Sequence, residues 1–339
     1  MQLTLRRFEL PLVHRFGIAR GSTTVTRSLI VELAQDGFCG YGEATANSYY
    51  GTSLDSLSAE IESVRSTIES TTLKNPEELN RLMESESGVG AFARCALDEA
   101  AWDLQGKLLG RPLWELWGLS LDNMPVSDYT IGIDTIEVMV QKMNELPGWP
   151  VYKIKLGTSE DLKIVARLRE HSDAVFRVDA NCGWTAEETI ENSRALAELG
   201  VEFIEQPLPA DCWREMEQVF ARSALPVIAD ESCCLASDVA RCHGCFHGIN
   251  IKLMKCGGLT PARRMIDQAR ELGLKTMVGC MTESTVGISA IAQLLPLLDY
   301  VDMDGALLLA KDTASGVTLQ RGRAVFPDEN GTGVRLLNL

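Results

Sequence analysis

The run VYKIKLG (residues 151–157) decides the fold: it is an apolar stretch that closes on two lysines, Lys153 and Lys155. Residues at i and i+2 share one face of a strand, so both amines point the same way. Working outward, four more runs carry a charge in the same place. They are VFRVDAN (175–181) with Asp179, FIEQPLP (203–209) with Glu205, VIADES (227–232) with Asp230 and INIKLM (249–254) with Lys252. From Lys155 onward the steps are 24, 26, 25 and 22 residues, each about one strand-plus-helix unit. Charges at the ends of buried apolar strands, at a regular period, indicate chemistry at one end of a barrel.

The alternation holds on both sides of these runs. YTIGI, VYKIKLG, VFRVDAN, FIEQPL, VIADES, INIKLM, KTMVGCM and YVDMDG read as eight strands, with helical patterns such as Ala186–Leu199, Ser237–Arg241 and Pro261–Leu272 in most intervals. This predicts an α/β fold, a modified (β/α)8 TIM barrel over residues 121–310. Residues 1–120 lack that period. LTLRRFEL (3–10) and RSLIVELAQDGFCGYGEAT (27–45) read as antiparallel strands, the second folded at Asp36-Gly37. Helices are expected over Leu54–Ser70, Pro76–Met83 and Ala91–Leu109, the last stopped by Gly110 and Pro112. This is an α+β capping domain, and the tail (311–339) reads as short strands and turns that return to it.

Strands four apart face each other across a closed eight-stranded barrel. Lys155 on the second strand therefore opposes Lys252 on the sixth, while Asp179, Glu205 and Asp230 form an arc on the third, fourth and fifth. Asp302 and Asp304, on the eighth, face the middle of that arc. Three carboxylates without cysteine or histidine suit a hard cation that keeps open positions, and Mg²⁺ is the natural choice. Singly, each could instead cap a helix or pair with a surface lysine; their common register sets them apart.

Two lysines on opposite sides of a metal point to proton transfer at a carbon between them. A lysine with its free pKa of ~10.4 must come down to ~7–8 to act as a base at neutral pH. Lys153 beside Lys155, with the cation, is expected to supply that like-charge pressure. A base on each face inverts the carbon, giving racemisation or epimerisation. A lyase could use one lysine as base and the other only to stabilise charge.

Composition narrows the partners. A net charge of −15 over 339 residues argues against nucleic acid or an anionic membrane surface. The N-terminus lacks the apolar core of a signal peptide, and no apolar stretch is long enough to span a bilayer. Ten cysteines are then expected as reduced thiols in a cytoplasmic protein. Cys242, His243, Cys245 and His247 place four metal-binding side chains within six residues, but no second pair accompanies them, so packing is expected rather than zinc.

These motifs resemble the enolase superfamily, specifically its muconate-lactonizing subgroup, over nearly the whole chain. The resemblance implies that Lys153-Ile154-Lys155 is the subgroup's Lys-x-Lys, that Asp179, Glu205 and Asp230 are its metal ligands and that Lys252 is the opposing lysine. The mandelate-racemase subgroup would need a histidine on the seventh strand, and none of His14, His171, His243 and His247 lies there. Asp302-Met303-Asp304 looks like the Asp-x-Asp with which dipeptide epimerases hold the substrate's α-ammonium; otherwise the pair caps the following turn. NIKLMKCGGLT, IARGS and VGCM also look like stretches of L-Ala-D/L-Glu epimerases. By that likeness Arg20 meets a glutamate side chain, or else it pairs with a surface acid. The second loop (47–51) carries no arginine, and Tyr49 and Tyr50 could stack on an apolar or aromatic residue. The expectation is a Mg²⁺-dependent epimerase acting on the C-terminal residue of a small dipeptide, with a homo-oligomer left open. The other reading is a lyase or cycloisomerase of the subgroup, such as an o-succinylbenzoate synthase or muconate cycloisomerase, whose substrates have no ammonium.

Overall fold

The computed structural model describes residues 1–337. Strands β1 (Gln2–Ile18), β2 (Gly21–Gln35) and β3 (Phe38–Thr45) form an antiparallel sheet in that order. Asp36 and Gly37, at φ 52° and 83°, make the expected two-residue turn between β2 and β3. β1 extends well past the predicted LTLRRFEL, with a register shift between Pro11 and Phe16, where proline cannot donate to the ladder. Arg20 therefore sits at the tip of a hairpin.

Four helices follow: α1 (Leu54–Ser63), α2 (Arg65–Ser70), α3 (Pro76–Ser85) and α4 (Ala91–Leu109). The single helix expected over 54–70 is broken at Val64, at φ −107° and ψ 7°. There the chain turns the valine into the core, and Arg65 reaches the Leu3 carbonyl at 2.6 Å. Helix α4 lies directly on β3 because Gly40 and Gly42 have no side chain. A Cβ at either would collide with the α4 backbone at Ala100 or Ala96.

Eight parallel strands then follow in sequence order: β4 (Tyr129–Ile131), β5 (Val151–Lys155), β6 (Val175–Asp179), β7 (Val201–Glu205), β8 (Val227–Ala229), β9 (Gly248–Lys252), β10 (Lys275–Gly279) and β11 (Tyr300–Asp302). An isolated bridge from Ser127, two residues before β4, to Val301 of β11 nearly closes the barrel. Helices pack outside, so Ile154, Val178 and Ile204 face them fully buried while the alternate residues point inward. After β11 a 3₁₀ turn (Gly305–Leu308) leads into the tail. Thr332 donates to Asp103 on α4 at 2.8 Å, and Lys107 of α4 donates to the Val334 carbonyl at 3.0 Å.

Carboxylates of the N-terminal part also cap helices of the barrel. Glu43 on β3 accepts from the Ser284 and Gly287 backbone N–H groups, at the start of the helix Thr285–Ala292. Asp98 on α4 accepts from Thr260 N at 2.9 Å, at the start of the helix Leu259–Glu271. Burial pushes Asp98 from 3.8 to about 7, against the hydrogen bonds from Thr260. The folded chain thus keeps this proton to about pH 7, while the unfolded chain loses it near 3.8. Stability is fully present below 3.8 and falls as pH rises to about 7, by roughly 4 kcal/mol at most for such a shift. Asp98→Asn is expected to flatten this fall. Urea denaturation from pH 4 to 8 checks it, the variant gaining on the parent as pH rises.

Candidate active site

The ladder sets one level of charges around the barrel mouth. Lys155 pairs with Asp179 and Asp179 with Glu205, while Lys252 pairs with Gly279 and Gly279 with Asp302. Asp179, Glu205 and Asp230 are buried and bring ligand oxygens within 4.8 Å of one another. Lys155 Nζ donates to Asp179 Oδ2 at 2.7 Å, and Lys252 Nζ to Asp230 Oδ2 at 2.7 Å. The two lysines thus stand at opposite ends of one carboxylate arc.

Several supporting residues went unremarked in the sequence. Asn181 donates its N–H to Asp179 Oδ1 at 2.8 Å, and Asn250 donates to Glu205 Oε1 at 2.8 Å. Asn250 has room because β10 carries Gly279 beside it, where a Cβ would fall 2.6 Å from the amide oxygen. Lys255 is wholly buried and donates to Asp230 Oδ1 at 2.5 Å, as well as to the carbonyls of Asp230, Cys233 and Asn250. Its position three after Lys252, on the short helix Leu253–Cys256, was the available signal. Gln206 holds the Asp230 N–H at 2.9 Å.

At Lys153 and Lys252 the neighbouring carboxylates act against the lowering that a base needs. Burial works in that direction at Lys153, but Asp302, Glu205 and Asp179 outweigh it and leave the amine well above its ordinary value. Lys252 is raised likewise, by Asp230 against burial. The like charge of a neighbouring amine is smaller than the pull of carboxylates at 2.7 Å. Burial also opposes the charge on Asp230, yet Lys252 and Lys255 hold its carboxyl well below the usual range. Glu205 is pushed up to about 7 by burial and its acidic neighbours, against Lys153.

The donor set fits a hard cation. All ligand atoms on the arc are carboxylate oxygens, and Glu205 Oε2 is buried without a well-directed hydrogen bond, although Lys153 Nζ lies 2.8 Å away. A second group, Cys280 with Asp302 and Asp304, is equally compact. Burial and the two aspartates hold that thiol well above its ordinary pKa, and a soft sulfur is a poor donor for a hard cation.

Asp302 and Asp304 are not equivalent. β11 ends at Asp302, whose Oδ2 accepts from Lys153 at 2.7 Å while its buried Oδ1 has no partner. Lys153 and Lys155 outweigh burial and bring Asp302 to about 2. Asp304 lies beyond the strand, accepts from Thr130 N at 2.6 Å, and makes no side-chain cap to the turn it precedes. Burial, then Asp302, push it up to about 7.

A cavity of ≈790 Å³ joins this floor to the cap; Lys155, Lys252, Asp302 and Asp304 line it below, and Arg20, Tyr49 and Tyr50 above. Arg20 has an acid partner, but not a surface one. Its guanidinium meets Glu231 Oε1 at 2.7 Å, on a side chain 2% exposed, and also donates to the Asn181 carbonyl at 2.9 Å. It covers the Tyr49 ring at 4.1 Å, and Tyr49 packs edge-on against Tyr50 at 4.9 Å. Glu231, one residue after Asp230, was missed because nothing local marks its partner.

The Cys242–His247 stretch forms a tight turn. Cys242 is fully buried, His247 Nδ1 accepts from Val227 N at 3.1 Å, and no metal cluster includes them among the described residues. No helix of the described residues is long and apolar enough to cross a membrane.

An eight-stranded barrel, with facing amines and acids at its C-terminal mouth and a hairpin cap above, defines a barrel enzyme of the capped kind. Residues 3–118 match the mandelate racemase / muconate lactonizing enzyme N-terminal domain, and residues 136–338 match the enolase C-terminal domain-like family. The chain belongs to this branch of the enolase superfamily. It is 56% identical to an L-Ala-D/L-amino acid epimerase of Flavobacterium johnsoniae, over 99% of this chain and 100% of the relative. It is 38% identical to an L-Ala-D/L-Glu epimerase of Bacteroides thetaiotaomicron, over 98% and 88% of the two chains. A dipeptide epimerase of Enterococcus faecalis, solved with Mg and L-Leu-L-Tyr, superposes with a TM-score of 0.92 at 32% identity, covering 98% of both chains.

Proposed function

We propose that this chain is a Mg²⁺-dependent dipeptide epimerase that inverts the α-carbon of the C-terminal residue, taking L-Ala-D/L-Glu or a related dipeptide with a hydrophobic residue in that place. The observation that carries this is the pair of lysines bound to the two ends of one carboxylate arc, with the unpartnered Asp302 oxygen beside them. Asp179, Glu205 and Asp230 would hold the cation, which supplies positive charge to the substrate carboxylate as the α-proton leaves. Lys155 takes the proton from one face and Lys252 returns one to the other, the roles exchanging with the direction of reaction. Lys153, charged and buried, stabilises the negative charge that develops between them. Asp302 and Asp304 hold the α-ammonium. Residues 1–120 act as the cap, 121–310 as the catalytic barrel, and the tail from residue 311 returns to the cap. Ten free cysteines suit a reducing compartment such as the cytoplasm.

Side-chain choice follows from Arg20. Because Glu231 already matches its charge, Arg20 offers the cavity no unpaired cation, and the Tyr49 and Tyr50 rings present an apolar wall. A neutral or apolar C-terminal residue is therefore accepted alongside glutamate.

Incubation with Mg²⁺ and a dipeptide library in D₂O tests the function: deuterium is expected at the C-terminal α-carbon. No exchange with any dipeptide, together with turnover of a cyclohexadiene or lactone substrate, would favour the lyase or cycloisomerase instead. Asp302→Asn is expected to lower kcat/KM for dipeptides by roughly 30-fold or more, as for loss of a buried charge pair. An N-acylated amino acid, lacking the ammonium, should not suffer that loss; equal losses on both would leave Asp302 a merely structural role.

A further inference from the structure

A second cavity of ≈200 Å³ adjoins the first, and Phe16, Thr130 and Leu308 line both. Thr130 is also the residue that binds Asp304, through its N–H at 2.6 Å and its hydroxyl at 3.3 Å. An ammonium held at Asp302 and Asp304 therefore places its α-carbon beside this shared wall. The side chain on that carbon can then branch toward it.

The wall has a firm base. Leu308 ends the 3₁₀ turn that follows Asp304, and Leu309 bridges to Leu12 of β1. Phe16 packs on the small cluster of Leu10, Leu12 and Leu309. Behind the wall Lys142 Nζ meets Asp134 at 3.2 Å and His14 Nε2 meets Glu145 at 2.7 Å, while Arg15, exposed, lines the rim without an ion-pair partner among the described residues. Tyr129, Leu146 and Leu307 supply apolar surface. A space above the ~150 Å³ that admits benzene in an apolar cavity has room for a leucine side chain.

We propose that Phe16 and Leu308 are specificity-determining residues that confine the dipeptide's N-terminal residue to a small side chain, and that the cavity behind them would take a larger apolar one. This rests on the epimerase reading and extends it to the other half of the substrate. Opening the wall by a methylene or more should change selectivity by roughly 10- to 200-fold, the range for one methylene in an apolar pocket.

The test measures kcat/KM for L-Leu and L-Ala dipeptides sharing one C-terminal residue. Leu308→Ala and Phe16→Leu are expected to raise the Leu-to-Ala ratio at least about tenfold. Leu146→Phe added to Leu308→Ala, refilling the cavity, should take the gain back. Leu308→Val, which keeps the wall apolar, serves if the alanine variant does not fold. Unchanged ratios in folded variants, or a gain that survives refilling, overturn the proposal. The unsubstituted protein is assayed in parallel: inactivity on every dipeptide sinks the function and this inference together, whereas activity with unchanged ratios sinks the inference alone.

Discussion

Lys155→Ala and Lys252→Ala are each expected to abolish epimerisation, by roughly 10³-fold or more in kcat, the scale of a lost general acid–base group. Each variant should nevertheless keep half of the chemistry. With Lys155 removed, Lys252 is expected to reach the face it serves and to wash deuterium into one enantiomer; with Lys252 removed, the other enantiomer should exchange. The structural reason is the separation of the two amines along the arc, Lys155 on Asp179 and Lys252 on Asp230, so neither can serve both faces. Proton NMR in D₂O on each pure enantiomer reads this directly. Full epimerisation by either variant, or exchange of the same enantiomer by both, would refute the two-base assignment.

Asp230→Asn is expected to be the most damaging change to the arc. This one carboxylate is bound by Lys252 at 2.7 Å and by Lys255 at 2.5 Å, all three groups buried. Removing its charge leaves two buried amines without an anion, a loss of about 3–5 kcal/mol for breaking a buried pair. For a chain of this size that is a fall in Tm of about 4–7 °C. The same variant should lose Mg²⁺ binding by calorimetry. Lys255→Met separates the two effects: it removes one supporting amine while leaving the three carboxylates in place, so it should shift Mg²⁺ affinity less than Asp230→Asn does. A Lys255→Met variant weaker than Asp230→Asn in Mg²⁺ affinity would show that the lysine, not the carboxylate, governs the site.

Local and periodic features were legible in the chain. The turn at Asp36-Gly37 follows from the positive φ that only a few residues tolerate. The helix Ala91–Leu109 starts and stops where expected because Gly110, at φ 66°, ends it. Failures came where packing outweighs propensity. The stretch 54–70 has a helical pattern throughout, yet burying Val64 and pairing Arg65 with the Leu3 carbonyl break it.

The sequence by itself determined the barrel, the order of Lys155, Asp179, Glu205, Asp230 and Lys252 around it, and their common level, because strand order and the two-residue pleat are one-dimensional information. The tertiary structure alone decided what those groups meet. Arg20 finds Glu231 across 211 residues of chain, Asp304 finds Thr130 across 174, and Lys255 closes on Asp230 across 25. Such contacts set the charge each side chain carries, since burial and an opposing ion at 2.7 Å outweigh anything a neighbour in sequence supplies.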